Sequence, residues 1–173
     1  MTEQVIETKG EVIQLVNFRL RDEEFGVEIS SVKEIIRVGE IAHIPDAPSS
    51  VRGMTNLRGQ IIAVVDLAEK FGLSQQPDIP QSARIMVTEV KNQIVGILVD
   101  EVSEVFKIPA ENIESTPEVV QTKDSEDYIQ GVGNLDNRII ILLDFEKLLA
   151  VHKIEELAPM SMSAAKLKEQ TNG

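Results

Sequence analysis

The sequence predicts a mainly β protein made of two small barrels produced by duplication of one strand-rich unit. Three observations carry that expectation. The core must be aliphatic, because 42% of the 173 residues are hydrophobic while aromatics make up only 3%, and Val and Ile favour strands. Apolar and polar residues alternate in several short runs, the period of a half-buried strand. The second half also repeats the first. Gly26-Val27-Glu28-Ile29 with Val32, Glu34 and Ile35 returns 70 residues later as Gly96-Ile97-Leu98-Val99 with Val102, Glu104 and Val105. Gly53, Asn56, Leu57 and the run Ile61 to Leu67 return 78 residues later as Gly131, Asn134, Leu135 and Ile139 to Phe145. Two offsets, each carried by several residues, indicate an internal repeat. The extra residues fall in a longer, polar second-half loop, Pro109 to Asp127. A barrel suits each copy because closure removes exposed strand edges.

Taken in order, residues 1–10 carry little apolar content and are expected to fray. Val16, Phe18 and Leu20 alternate with Asn17 and Arg19, predicting a strand from Glu11 to Leu20. The polar run Arg21 to Glu24 turns the chain, and Phe25, Val27 and Ile29 form the returning strand of a hairpin. Ser31 and Glu34 have the spacing of a capping box over one helical turn, before Ile35-Ile36-Arg37 extends. Pro45 and Pro48 stiffen a loop. Gly59 suits a tight turn, Ile61 to Val65 reads as a strand buried on both faces, and Asp66 caps a short helix, Leu67 to Phe71, ended by Gly72. Ser74 to Ser82 is the linker. One domain is expected over 11–149, with barrel patterns at 11–73 and 83–149 about the linker 74–82. A terminal helix and tail follow at 150–173.

Composition narrows the function. The chain has room for one ordinary domain or two very small ones. Its net charge is −12, which argues against a protein that tracks nucleic acid or anionic lipid. Cysteine is absent, removing disulfides, thiolate metal sites and Cys nucleophiles, as suits a reducing compartment. No apolar run approaches the length of a membrane span, and the N-terminus lacks a signal-peptide layout, so a cytoplasmic protein without membrane insertion is expected.

The residues for chemistry are missing. His43 and His152 lie apart without ligand spacing, so no metal site is expected. Nucleophile elbows and phosphate loops are absent, and Gly131-Val132-Gly133 lacks the third glycine and the helix of a nucleotide fingerprint. The acidic pairs read as solvated surface, and the stretch Asp124 to Asp127 lacks the spaced ligands of a calcium loop. No catalytic residue and no cofactor is therefore expected. Glu34 and Glu104 occupy equivalent positions, as if the fold used a carboxylate there. Arg58, by contrast, is matched by Asp136. The turn accepts either charge, so local geometry does not require Arg58, and Arg is a common interface anchor.

Gly53-x-x-Asn56-Leu57-Arg58-Gly59 with Val64-x-Asp66-Leu67, preceded by Phe25-Gly26-Val27-x-Ile29-x-x-Val32-x-Glu34-Ile35, resembles the CheW family of chemotaxis adaptors from about Gln14 to Leu149. Val95-Gly96-Ile97-x-Val99-Asp100-x-Val102 and Gly131-x-Gly133 add to the likeness. Ala63 departs from it, standing where the family often has proline. The resemblance implies two intertwined five-stranded SH3-like barrels. It implies a non-enzymatic adaptor that links the histidine kinase CheA, through a CheW-like regulatory domain, to the cytoplasmic tips of chemoreceptors. It places Val32, Glu34, Gly53 and Arg58 at the receptor contact, with Ile85 and Val87 lining the same groove, and leaves the kinase-facing residues unassigned. Arg58 is expected on the groove rim within reach of Glu34. Two other classes compete: a barrel sensing a small ligand or cation, and a nucleic-acid-binding barrel, the latter opposed by the charge.

Overall fold

The structure is a computed structural model that describes residues 11–73, 78–117 and 128–151. Among the described residues, eleven strands and two short helices follow one another as β1 (Val12–Leu20), β2 (Glu23–Glu28), β3 (Glu34–Arg37), β4 (Val51–Leu57), β5 (Gln60–Asp66), α1 (Leu67–Lys70), β6 (Arg84–Val90), β7 (Gln93–Val99), β8 (Glu101–Pro109), β9 (Ile113–Glu114), β10 (Ile129–Leu135), β11 (Arg138–Leu143) and α2 (Phe145–Val151). They form a six-stranded sheet, β8-β1-β2-β11-β10-β9, and a five-stranded sheet, β3-β6-β7-β5-β4.

The halves are exchanged. Hairpin β1–β2 from the first copy sits among strands of the second, while β6–β7 from the second sits among strands of the first. The parallel joins that make the exchange are equivalent: β11 pairs β2 with Leu142 opposite Gly26, and β5 pairs β7 with Val64 opposite Gly96. These are the positions related by the two sequence offsets, so the duplication read from residues is a structural pseudo-twofold. The strand counts differ only because β9, two residues long, is matched in the other sheet by a single bridge, Ala42 to Met54.

Hairpin turns follow residue chemistry. Arg58-Gly59, Lys91-Asn92 and Asp136-Asn137 all have positive φ at both positions, the arrangement whose twist matches two-residue hairpins. Asp66 accepts from the Glu69 amide at 3.2 Å, capping α1, and Asp144 does the same for Lys147 at 3.0 Å. One local expectation needs correction. Ser31 caps nothing: Ile29–Ser31 forms a 3-10 turn without a side-chain cap, and Glu34 already belongs to β3, because pairing with β6 outweighs a helical turn. A helix, Phe145–Val151, follows the Asp144 cap; of the terminal helix and tail expected over 150–173, residues 152–173 lie outside the described residues.

Each sheet curls over its own aliphatic cluster. Leu57, Ile62, Val64, Ile85, Val87 and Leu98 fill one barrel, and Leu15, Ile108, Ile140 and Leu142 fill the other. The largest cluster lies between the sheets and draws on both halves, including Val16, Phe18, Val27, Val65, Met86, Ile97, Leu143 and Phe145. Aromatics concentrate there. Phe18 stacks on Phe25 at 5.8 Å and meets Phe145 at 6.0 Å, while Phe71 lies 5.6 Å from Phe25 and 5.8 Å from Tyr128. Rings this close add packing energy to their buried area.

Candidate functional site

Two elements distant in sequence meet at the mouth of the five-stranded barrel. Edge strand β3 pairs with β6 so that Glu34 stands opposite Val87 and Ile36 opposite Ile85. The tight β4–β5 turn is held by Asn56, whose side-chain oxygen accepts from the Gly59 amide at 2.7 Å, and it projects Arg58 back toward β3. Arg58 Nη1 donates to Glu34 Oε1 at 2.8 Å. The arginine side chain is 70% exposed and the glutamate 32%, so the pair forms a polar rim above an aliphatic interior. Hydrogen bonding to the carboxylate, then its charge, raises the guanidinium pKa still further above its ordinary value. Exposed pairs of this kind add little to folding.

The rim contact expected between Arg58 and Glu34 is therefore present, but the other predicted site residues are placed differently. Ile85 and Val87 are 0% and 1% exposed. They fill the barrel beneath the ion pair and line no open groove, because strand alternation turns them to the same inward face as Ile36. Gly53 is buried too: a Cβ there would stand 2.2 Å from the Ala42 carbonyl oxygen, so the close approach of residues 41–42 explains it. Gly131 is under the same constraint from the Glu114 carbonyl at 2.8 Å. Val32 is half-buried and packs against the cluster between the sheets. Sequence reasoning missed Ile35, which is 39% exposed beside Glu34. The run Glu-Ile-Ile-Arg holds one inward and one outward isoleucine, and only the ladder with β6 distinguishes them.

The pseudo-equivalent mouth of the second barrel is built from different charges. Glu104 matches Glu34, yet Asp136 replaces Arg58 in the turn, and the cation comes from Arg138, where the first copy has Gln60. Arg138 Nη1 lies 3.8 Å from Glu104, but its main partner is Glu24, reached by Nε at 3.2 Å and by Nη2. Buried Asn17 also donates to Glu24, at 3.1 Å. Bonding to Arg138 first, and to Asn17 second, lowers the Glu24 pKa against a partial opposing effect of burial. In the first copy Val87 and Ile94 occupy the places of Asn17 and Glu24. The second mouth thus spends its arginine internally, whereas the first presents it outward.

No group of metal-ligating side chains occurs among the described residues, and His43 is exposed. The Asp124 to Asp127 stretch and His152 lie outside the described residues. Among the described residues no helix is long and apolar enough to cross a membrane.

Comparison with known proteins agrees with this architecture. The family model of the CheW-like domain matches residues 14–153. A chemotaxis protein CheW from Klebsiella aerogenes is 38% identical over 144 residues, covering 83% of this chain and 84% of the relative. One from Treponema pallidum is 32% identical over 151 residues, covering 86% and 88%. The crystal structure of scaffolding protein TtCheW from Thermoanaerobacter tengcongensis superposes with a TM-score of 0.72 at 33% identity, over 80% of this chain and 88% of that one. With two exchanged β sheets, an arginine presented at a turn that does not require it, and these relatives, the chain belongs to the CheW-like family.

Proposed function

We propose that this protein is a non-enzymatic, cytoplasmic adaptor coupling chemoreceptors to the histidine kinase CheA in a chemotaxis signalling array. Its membership of the CheW-like family supports the reading. The observation that carries it within the molecule is the Glu34–Arg58 rim. The equivalent turn folds with Asp136 in place of the arginine, so Arg58 is free to serve a partner. The receptor tip is assigned to this rim, with Glu34 and Arg58 as polar contacts and the neighbouring, half-buried Val32 as an apolar one. An amphipathic helix laid on such a surface buries its apolar stripe and satisfies the guanidinium at one edge.

The test is capture of a receptor cytoplasmic fragment and of the CheA regulatory domain, separately and together, on the immobilised full chain. Retention of each alone and of both at once is expected. Failure to retain either removes the adaptor reading.

A further inference from the structure

The Arg37–Arg84 pair contrasts with four of the protein's other five arginines. Arg21, Arg52, Arg58 and Arg138 each hold a carboxylate, at Asp100, Asp66, Glu34 and Glu24. Arg37 and Arg84 instead stand directly opposite each other in the β3–β6 ladder, and among the described residues neither forms an ion pair. Like charges in that relation destabilise a sheet. Arg84 has a partial structural use: its Nη1 donates to the carbonyls of Gln81 and Ser82, both at 3.2 Å, and of Ala83 at 2.8 Å. Those bonds fix its guanidinium and leave its remaining donors unused. Arg37 is exposed and has no hydrogen bond among the described residues.

An open cleft of about 830 Å³ lies between the two arginines and is completed by Val38, Gly39 and residues 79–83. Among the described residues no carboxylate lines it, in a chain that carries 29. The acidity of the rest of the chain makes this basic spot more selective, since an anion is repelled elsewhere and admitted here. Alternation along β3 puts Arg37 and Ile35 on the face opposite Glu34 and Ile36. The cleft is therefore separate from the Glu34–Arg58 rim.

We propose that this cleft binds a carboxylate-rich segment of a protein partner. Guanidinium forks match carboxylates two bonds at a time. Two forks on neighbouring strands lie about 5 Å apart at the backbone, so they suit two acidic side chains of one segment, and the cleft is far larger than a single oxyanion. The bound carboxylates also neutralise the like-charge repulsion across the ladder. The proposal does not depend on the adaptor reading.

Hexaglutamate, titrated at low ionic strength into isotope-labelled full-length protein, tests it. Amide shifts confined to residues 37–39 and 79–84 are expected, with affinity falling as salt rises. Arg37→Gln is expected to weaken binding about tenfold while leaving Tm unchanged or raised, because it removes one of two opposed charges. That variant separates binding from folding, which Arg84→Gln does not, given the carbonyls Arg84 holds. The proposal is overturned if wild type shows no shifts, if Arg37→Gln binds as well as wild type, or if inorganic phosphate produces the same shifts at the same concentration as hexaglutamate.

Discussion

At the scale of single residues, the two barrel mouths make opposite use of one arginine each, and both uses are measurable. Arg58 points outward on a turn whose counterpart carries Asp136. Arg58→Asp is therefore expected to leave Tm nearly unchanged while weakening receptor capture by at least about tenfold, with kinase binding affected less. Thermal unfolding beside the capture assay checks it. A mutant that unfolds at once assigns Arg58 to structure, and a stable mutant with full capture assigns it to ordinary surface. Arg138 points inward to Glu24, whose pKa is lowered by that bond. A carboxylate with a depressed folded pKa stabilises fully above its unfolded pKa, about 4.3 for Glu. The contribution is lost as pH falls through the folded value. Wild type should accordingly lose stability on acidification below about pH 4.3, and Glu24→Gln should lose less over that window while being less stable at neutral pH. Parallel pH profiles of the two proteins in urea melts would refute the assignment.

At the scale of elements, the glycines separate two reasons for the same residue. Gly53 sits in β4 at φ 151° with the Ala42 carbonyl where a Cβ would go. Gly59, at φ 89°, has open space around it and needs only the left-handed backbone. Gly53→Ala is expected to cost about 3 kcal/mol or more, because residues 41–42 must move and a φ of 151° itself disfavours a side chain. Gly59→Ala should cost about 1 kcal/mol of backbone strain. Urea denaturation gives both values, and equal losses would contradict the close-approach account. The Gly-x-x-Asn-Leu repeat was visible in the sequence, but its cause was not. The residues that crowd Gly53 lie in a loop with no strand pattern, Glu40 to Ile44, and become its neighbours only through the bridge to Met54.

At the scale of the molecule, the exchange of hairpins decides cooperativity. Neither half holds a complete sheet, since β1–β2 and β6–β7 each complete the other copy's barrel, and the largest core cluster draws on both. A single calorimetric transition is expected for the whole chain, despite a linker that resembles a domain boundary. Fragments ending or starting at the linker should be unfolded alone and regain β structure when mixed. Two separated transitions, or a folded isolated half, would show the halves to be independent.

The sequence by itself determined the class of the fold, the duplication, the hairpins and the Asp66 cap, because strand period, turn backbone and capping depend on neighbours within a few residues. The mismatch with Asp136 marked Arg58 as not required by its turn, and the family resemblance indicated its contact with Glu34. Only the tertiary structure decided which face of each strand is covered. Ile85 and Val87 went inside, Ile35 outside, and Phe18, Phe25, Phe71, Phe145 and Tyr128 gathered between the sheets. It alone set Arg37 against Arg84 and Arg138 against Glu24. Alternation marks two faces of a strand without saying which one another element will bury, and that choice rests on the packing of strands more than a hundred residues apart, such as Phe25 beside Ile141.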